Sequence, residues 1–208
     1  MHTTSAVTGT TKRSTRRPNL RWRVVDIVVA SVLGVASGVI FWAWGLAWGP
    51  LGALLAFTPG LDGLLAGGWL FAGVLGALVV RKPGAALFTE LLAAMVESLI
   101  GNQWGFSSLI WGTVQGLGVE IVFAIFLYSS WRLGVVLLSG AAAGLAVGLL
   151  DTGFSSVAAL AFEYKVVYVI STIVSGVLLA GLLSWLAVKG LARTGALSRF
   201  AAGRGTVA

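Results

Sequence analysis

The residues best suited to chemistry are three glutamates within long apolar stretches, Glu90, Glu97 and Glu120. Ionisable side chains in membrane-spanning segments are energetically expensive and usually functional. Glu90 and Glu97 are seven residues apart, which places them on one face of a helix. Because no Lys, Arg or His lies within the apolar stretches, each carboxyl group must be protonated, accept hydrogen bonds from neutral donors, or bind a cation from elsewhere. A neutral acid that bonds across helices is the structural alternative to a functional role.

Several other kinds of chemistry are excluded by missing residue types. The chain has no Cys and a single His, His2 in a polar tail, so thiolate chemistry, a His-based metal cluster and a Ser-His-Asp triad are excluded. A phosphate-binding loop needs Gly directly before its Lys, and no Lys of this chain follows a Gly. We therefore expect no metal, no cofactor and no enzymatic activity, and any coupling to ATP must come from another subunit.

The elements that hold these glutamates are those of a membrane protein. Hydrophobic residues make up 58% of the 208 residues and charged residues only 10%, whereas a soluble domain averages about 25% charged residues. A helix needs about 20 apolar residues to cross the hydrocarbon core, or slightly fewer at the short limit. We therefore predict an all-α, multi-pass cell-membrane protein with six transmembrane helices, over residues 24–44, 62–80, 85–100, 107–128, 133–150 and 166–188.

The distribution of basic residues predicts the orientation. Six crossings from a cytoplasmic start place every basic residue except Lys165 inside, as the positive-inside rule requires. If the short third segment did not cross, Arg132 and the basic C-terminal residues would lie outside. We therefore expect both termini to be cytoplasmic. The segment 45–61, which has two Pro and no charge, is too apolar for a free loop, and we expect it to lie on the membrane or fold back over the helices.

The formal charge of +7 belongs to the tails. We predict a basic disordered tail over 1–23, a six-helix transmembrane domain over 24–188 and a second basic tail over 189–208, and neither tail contains an acid. Basic segments next to a membrane bind anionic lipid. We therefore assign the high positive charge to lipid anchoring and not to nucleic-acid binding.

The tryptophans are distributed unevenly in this topology. Six of the nine fall in the outer half and three in the inner half, whereas interfacial belts place Trp on both sides. The surplus surrounds the level of Glu97, and indole faces attract cations and stack on aromatic rings. We therefore predict a site for a flat aromatic cation around Glu97, Trp69 and Trp104, with Asn102 and Gln115 as neutral hydrogen-bonding groups. The alternative is an ordinary outer belt of tryptophans.

A stripe of small residues marks the first helix. Ala30, Gly34 and Gly38 repeat every four residues, a pattern that allows two helices to approach closely in lipid. The partner of this stripe is either another helix of the same chain or a separate subunit.

Several segments between Trp22 and Tyr128 carry a resemblance to a known family: Trp22-x3-Asp26-Ile27-Val28, LGVASGVIF (33–41), Gly68-Trp69, RKPGAAL (81–87), Glu90, Glu97, GNQWG (101–105) and QGLGVE (115–120). Together they resemble the YkoE-type substrate-binding (S) components of energy-coupling-factor (ECF) ABC transporters, a family linked to thiamine. The match covers roughly half of the chain.

The resemblance implies a six-helix membrane protein that captures a vitamin or its precursor from outside, without catalysis. It implies thiamine or its hydroxymethylpyrimidine precursor as ligand, and a transmembrane coupling subunit with two cytoplasmic ATPases as partners. It also implies that Glu97 anchors the ligand, that Trp104 and Trp69 stack on it, and that Asn102 and Gln115 bond to it. Glu90 is then a deeper contact or a structural acid, and the stripe on the first helix contacts the coupling subunit.

Two other functions are compatible with the residues alone. A proton-coupled carrier or multidrug exporter would use Glu90 and Glu97 as protonatable groups and would respond to a pH gradient without any ATPase. A membrane accessory subunit without a ligand would have no enclosed polar cavity beside Glu97.

Overall fold

The computed structural model describes residues 20–194, and every regular element in that range is helical. Five segments are long and apolar enough to cross a membrane: Val24–Leu55, Leu61–Val80, Gly105–Ile125, Leu133–Phe154 and Phe162–Arg193. We name the helices α1 (Val24–Leu55), α2 (Gly67–Val80), α3 (Ala85–Ile100), α4 (Ser108–Ile125), α5 (Leu133–Phe154) and α6 (Phe162–Arg193). The predicted all-α fold is confirmed.

Helix α3 is the short one, with 16 residues, or about 24 Å at 1.5 Å per residue. The turn before it lies beside the start of α1, where Trp22 Nε1 donates to the Pro83 carbonyl at 2.8 Å. Near its other end Glu97 bonds to Trp69, at the start of α2. Helix α3 therefore runs from one end of the bundle to the other, and consecutive helices alternate in direction.

This alternation gives the bundle two chemically different ends. The first and the last described residues lie at the same end of the bundle as Arg81, Lys82 and Arg132, and we call this the basic end. The opposite end, which we call the tryptophan end, carries Trp44, Trp48, Trp69, Trp104 and Trp111. The positive-inside rule assigns the basic end to the cytoplasm.

The expectation for the segment 45–61 is corrected for its first part. Helix α1 continues without a break through Pro50 to Leu55, so 45–55 neither lies on the membrane nor folds back. Proline in a helix removes one backbone hydrogen bond, and helices of membrane proteins tolerate this where neighbouring groups satisfy the freed carbonyl. Only the chain after Leu55 folds back, through Gly60 at φ 93° into a 3-10 helix, Leu61–Leu65, that packs against α6.

The structure also extends two of the predicted spans. Helix α5 ends at Phe154 and not at residue 150, which brings Asp151 into the helix. Helix α6 covers Phe162–Arg193 and contains a π-helical segment, Gly176–Leu182. Residues 189–193 of the predicted basic C-terminal tail are therefore the end of this helix. The remainder of both predicted tails, 1–19 with His2 and 195–208, lies outside the described residues.

Small residues set the closest helix contacts. Ala30, Gly34 and Gly38 are buried, and a Cβ added to Gly38 would lie 2.6 Å from the Ala93 carbonyl oxygen of α3. The stripe on α1 therefore packs within the chain, which is one of its two predicted roles. A contact with another subunit through the same stripe stays a prediction, and it would require α1 to separate from α3.

A second stripe of small residues joins α5 to α6. A Cβ added to Gly140 would lie 2.2 Å from the Gly176 carbonyl oxygen, and one added to Gly144 would lie 2.2 Å from that of Thr172. No side chain larger than hydrogen fits at these two positions without moving a backbone. This close contact fixes how the middle parts of α5 and α6 lie relative to each other.

Candidate ligand-binding site

A cavity of about 410 Å³ opens at the tryptophan end of the bundle. Small-molecule sites are typically clefts of about 300–1,000 Å³, so the volume suits an organic ligand. All six helices or the segments between them contribute to its wall. Four of the predicted substrate-binding residues line it together: Glu97, Trp69, Trp104 and Gln115.

Glu97 and three indoles form one wall of the cavity. The Glu97 side chain projects from the last turns of α3, its residue is 2% exposed, and its Oε1 accepts a hydrogen bond from Trp69 Nε1 at 3.1 Å. Trp48, on the extension of α1, completes the group: the ring centroids of Trp48 and Trp69 are 5.3 Å apart, and those of Trp69 and Trp104 are also 5.3 Å apart. Both pairs are edge-on, so indole faces remain available to a ligand.

Gly45 leaves the space beside the Glu97 carboxyl group open. A Cβ added there would make ordinary contacts, 3.5 Å from Trp104 Cζ3 and 3.6 Å from Glu97 Oε1, whereas a longer side chain would enter that space. The helical continuation of α1 beyond Gly45 is what brings Trp48 over the cavity.

Two predicted site residues do not line the cavity. Asn102 is engaged within its own loop, where its Nδ2 donates to Ser108 Oγ at 2.8 Å and its Oδ1 accepts from the Trp104 backbone N–H at 3.1 Å. Asn102 therefore holds the loop that carries Trp104. Glu90 lies two turns deeper, fully buried between α2 and α3, where its Oε2 accepts from the Gly73 backbone N–H. Its Oε1 has no hydrogen-bond partner among the described residues.

The structure adds a second acidic wall that the residues alone did not predict. Asp151, near the end of α5, is 7% exposed and lines the cavity. Its Oδ1 accepts from Trp111 Nε1 of α4 and its Oδ2 from the Tyr168 hydroxyl of α6, both at 2.7 Å. Asp62 of the 3-10 helix lines the same cavity. The signal in the sequence was the apolar pattern of α5, which continues past residue 150 and places Asp151 on the buried face with Val147 and Gly148.

The charge of the cavity follows from these residues. Glu97, Asp62 and Asp151 all line it, and no Lys, Arg or His does so within residues 20–194. Carboxyl groups that are withdrawn from water and lack a basic partner favour a cationic ligand. Indoles around the same space stabilise a cation further.

Comparisons with known proteins identify the family of the chain. The family model described as "ABC-type cobalt transport system, permease component" matches residues 25–146, more than half of the chain. The Bacillus subtilis (strain 168) protein YkoE, named as an HMP/thiamine permease protein, is 36% identical over 185 residues, which are 88% of this chain and 91% of that protein. A crystal structure of an S component of an ECF transporter superposes with a TM-score of 0.83 at 35% identity, covering 88% of this chain and 92% of the other.

The chain belongs to the YkoE-type family of ECF transporter S components.

The family membership accounts for the main features of the fold and the cavity. This S component is a multi-pass cell-membrane protein and the substrate-binding subunit of an importer, so a pocket open at one end of the bundle is what its function requires. The resemblance seen in the sequence is confirmed, and the comparisons do not favour the proton-coupled carrier.

Proposed function

We propose that this S component binds thiamine or its hydroxymethylpyrimidine precursor in the cavity at the tryptophan end. The observation that carries the proposal is a pocket with three carboxyl groups, several indoles and no basic residue in the described range. Thiamine combines a cationic thiazolium ring with an aminopyrimidine, so it fits both features. The name of the Bacillus subtilis relative points to the same pair of compounds.

Glu97 anchors the pyrimidine in this proposal. An ionised carboxylate has about four lone-pair positions, of which Trp69 Nε1 occupies one and the side chain of Asn102 is in reach of another. The remaining positions can accept from the amino group and, when it is protonated, from the ring nitrogen of an aminopyrimidine. Trp69 and Trp104 stack on the ligand, and Gln115 donates or accepts from the side of α4.

Asn102 and Glu90 take supporting roles in the proposed site. Asn102 positions Trp104 through its loop hydrogen bonds, and Glu90 acts as a structural acid between α2 and α3. A metal ligand is less suitable than an organic cation, because residues 20–194 contain no group of three or more His, Cys, Asp or Glu able to hold an ion.

The proposed partners are a transmembrane coupling subunit and two cytoplasmic ATPases, since the family works as part of an ECF transporter. The S component itself binds and does not catalyse in this proposal. Its basic tails bind anionic lipid headgroups in this proposal, and Arg21, Arg23, Lys189 and Arg193 are the basic tail residues within the described range.

The experiment is a titration of the purified full-length protein with thiamine and with hydroxymethylpyrimidine, followed by tryptophan fluorescence and by calorimetry. Hydrogen bonds to a charged group contribute about 1.5–3 kcal/mol, so Glu97→Gln is expected to weaken binding about 10- to 100-fold. Trp104→Ala is expected to weaken it by a similar factor through lost stacking.

Matched controls come from the same chain. Glu163→Gln removes an exposed acid at the start of α6, and Trp185→Phe changes an indole that contacts Lys189 at the basic end. Neither variant should change the Kd. No binding by the wild type, or an unchanged Kd in Glu97→Gln and Trp104→Ala, would refute the proposed site.

A further inference from the structure

The wall around Asp151 differs from the Glu97 wall in how its carboxylate is held. Both oxygens of Asp151 already accept a short hydrogen bond, from Trp111 and from Tyr168. Tyr168 is itself 4% exposed, so its hydroxyl group holds the Asp151 carboxylate from a buried position. The two donors are neutral, and they orient the carboxylate without cancelling its charge.

A second acid strengthens the negative potential at this wall. Asp62 lines the cavity with Asp151 and Tyr168, and its 3-10 helix packs against α6, where a Cβ added to Gly63 would lie 2.7 Å from the Tyr168 carbonyl oxygen. Like charges in one partly buried site destabilise each other unless a cation comes between them or a proton is shared. Within residues 20–194, no basic side chain lines the cavity to supply that cation.

Gln115 provides an independent sign that a ligand belongs here. Its residue is 7% exposed, it lines the cavity, and no group of the described residues bonds to its side-chain amide. Because Gln115 lines the cavity, its amide can bond to a ligand there. It lies on α4, one turn from Trp111, and α4 packs between α3 and α5. The free amide is therefore positioned between the Glu97 wall and the Asp151 wall.

The two walls suit two different chemical groups. Glu97 keeps open lone pairs and can accept directional hydrogen bonds from an amino-heteroaromatic ring. Asp151 accepts a hydrogen bond on each oxygen, which leaves fewer lone pairs for a ligand, so it offers mainly fixed charge beside the indole of Trp111. A quaternary ring nitrogen has no N–H to donate, and it is stabilised by nearby negative charge and by aromatic faces.

We propose that Asp151 and Asp62 form a second subsite that receives the permanently cationic ring of a two-ring ligand, while Glu97 receives its amino-heteroaromatic ring. This inference rests on the proposed function and deepens it. It makes the S component selective for thiamine over hydroxymethylpyrimidine, because the pyrimidine alone leaves the Asp151 wall without a counter-charge. Gln115 then bonds to the ligand between its two rings or at the edge of one of them.

The experiment compares Kd values for three probes by calorimetry on the purified full-length protein. Thiamine carries both rings, hydroxymethylpyrimidine only the first, and oxythiamine keeps the thiazolium but replaces the amino group with an oxo group. For Asp151→Asn we expect at least a tenfold weaker Kd for thiamine and for oxythiamine, and less than a twofold change for hydroxymethylpyrimidine. For Glu97→Gln we expect a tenfold or larger loss with thiamine and with hydroxymethylpyrimidine.

Asp62→Asn is the second variant, since the Asp62 carboxyl group accepts from backbone N–H groups of its own turn, those of Asp62, Gly60 and Gly63, and the side-chain oxygen of Asn can keep such a bond. It should weaken thiamine binding about threefold or more and leave hydroxymethylpyrimidine binding unchanged. Glu163→Gln is the control for loss of an acid outside the cavity and should change none of the values.

The outcomes separate the two proposals. If the wild type binds none of the probes, the proposed function is wrong and the subsite falls with it. If the wild type binds thiamine but Asp151→Asn and Asp62→Asn alter thiamine and hydroxymethylpyrimidine binding equally, or alter neither, the subsite is refuted while the proposed function stands. If Asp151→Asn does not fold, the Asp62→Asn values decide alone.

Discussion

Glu120 should be a structural acid, and the contrast with Glu97 can be measured. Its Oε1 accepts from the Gly84 backbone N–H and the Tyr128 hydroxyl, both at 2.6 Å, and its Oε2 accepts from the Ala86 N–H at 3.1 Å. One carboxylate of α4 thus satisfies two backbone N–H groups at the start of α3, where a negative charge also complements the helix dipole. It lies at the basic end, away from the cavity.

The perturbation is Glu120→Gln, which keeps the shape but removes the charge and one acceptor atom. The new amide N–H₂ group would face a backbone N–H, so at least one of the three hydrogen bonds is lost and the others weaken. With about 1.5–3 kcal/mol for a hydrogen bond to a charged group, and with Glu120 partly exposed, the expected loss of unfolding free energy is about 2–4 kcal/mol. Tyr128→Phe removes one bond only and should cost about 1–2 kcal/mol.

The assay is denaturant unfolding in detergent micelles, followed by far-ultraviolet circular dichroism, with the thiamine Kd measured on the folded fraction. For Glu120→Gln we expect a lower unfolding free energy and an unchanged thiamine Kd. For Glu97→Gln we expect an unchanged unfolding free energy and a weaker thiamine Kd. Glu163→Gln is the control and should change neither quantity. Wild-type stability combined with weakened thiamine binding in Glu120→Gln would show that the reasoning is wrong and that Glu120 acts on the ligand.

Three further predictions concern the framework of the site. Gly140→Ala should lower the unfolding free energy by about 1–3 kcal/mol, because its Cβ would lie 2.2 Å from the Gly176 carbonyl oxygen. The control is Gly134→Ala, which should be neutral or slightly stabilising because no atom lies within 4 Å of the added Cβ. Leu127→Asn should stabilise by up to about 1 kcal/mol in the same unfolding assay, because Leu127 is 76% exposed at φ 51° and Asn tolerates that region better. Burial and the Glu120 hydrogen bond raise the pKa of Tyr128 above its ordinary value of 10. The contribution of Tyr128 to the unfolding free energy is therefore complete below pH about 10 and falls at higher pH. An equal loss of unfolding free energy above pH 10 in the wild type and in Tyr128→Phe would contradict this.

The tryptophan end illustrates how far residue patterns reach. Glu97 and the surplus of outer tryptophans predicted a cation site at one level of the membrane, and Glu97, Trp69, Trp104 and Gln115 do line one cavity. Glu90 shares a helix face with Glu97, yet it lies outside the cavity, because helix spacing gives the direction of a side chain and not the depth at which neighbouring helices close over it. Asp151 was missed because the end of α5 cannot be located to within one turn from hydropathy alone.

Composition, hydropathy and the positions of basic residues determine by themselves that the chain is an all-helical membrane protein with six crossings and a basic cytoplasmic side. These properties follow from the bilayer, which requires about 20 apolar residues per crossing and biases basic loops inward. Only the tertiary structure decided that α1 continues past Pro50 to place Trp48 over the cavity, and that Asp62, Trp111, Asp151 and Tyr168 meet. Those residues come from four separate segments, and they come together only when the small-residue stripes of particular helices pack against each other. The sequence pattern of a single helix does not say which other helix it packs against.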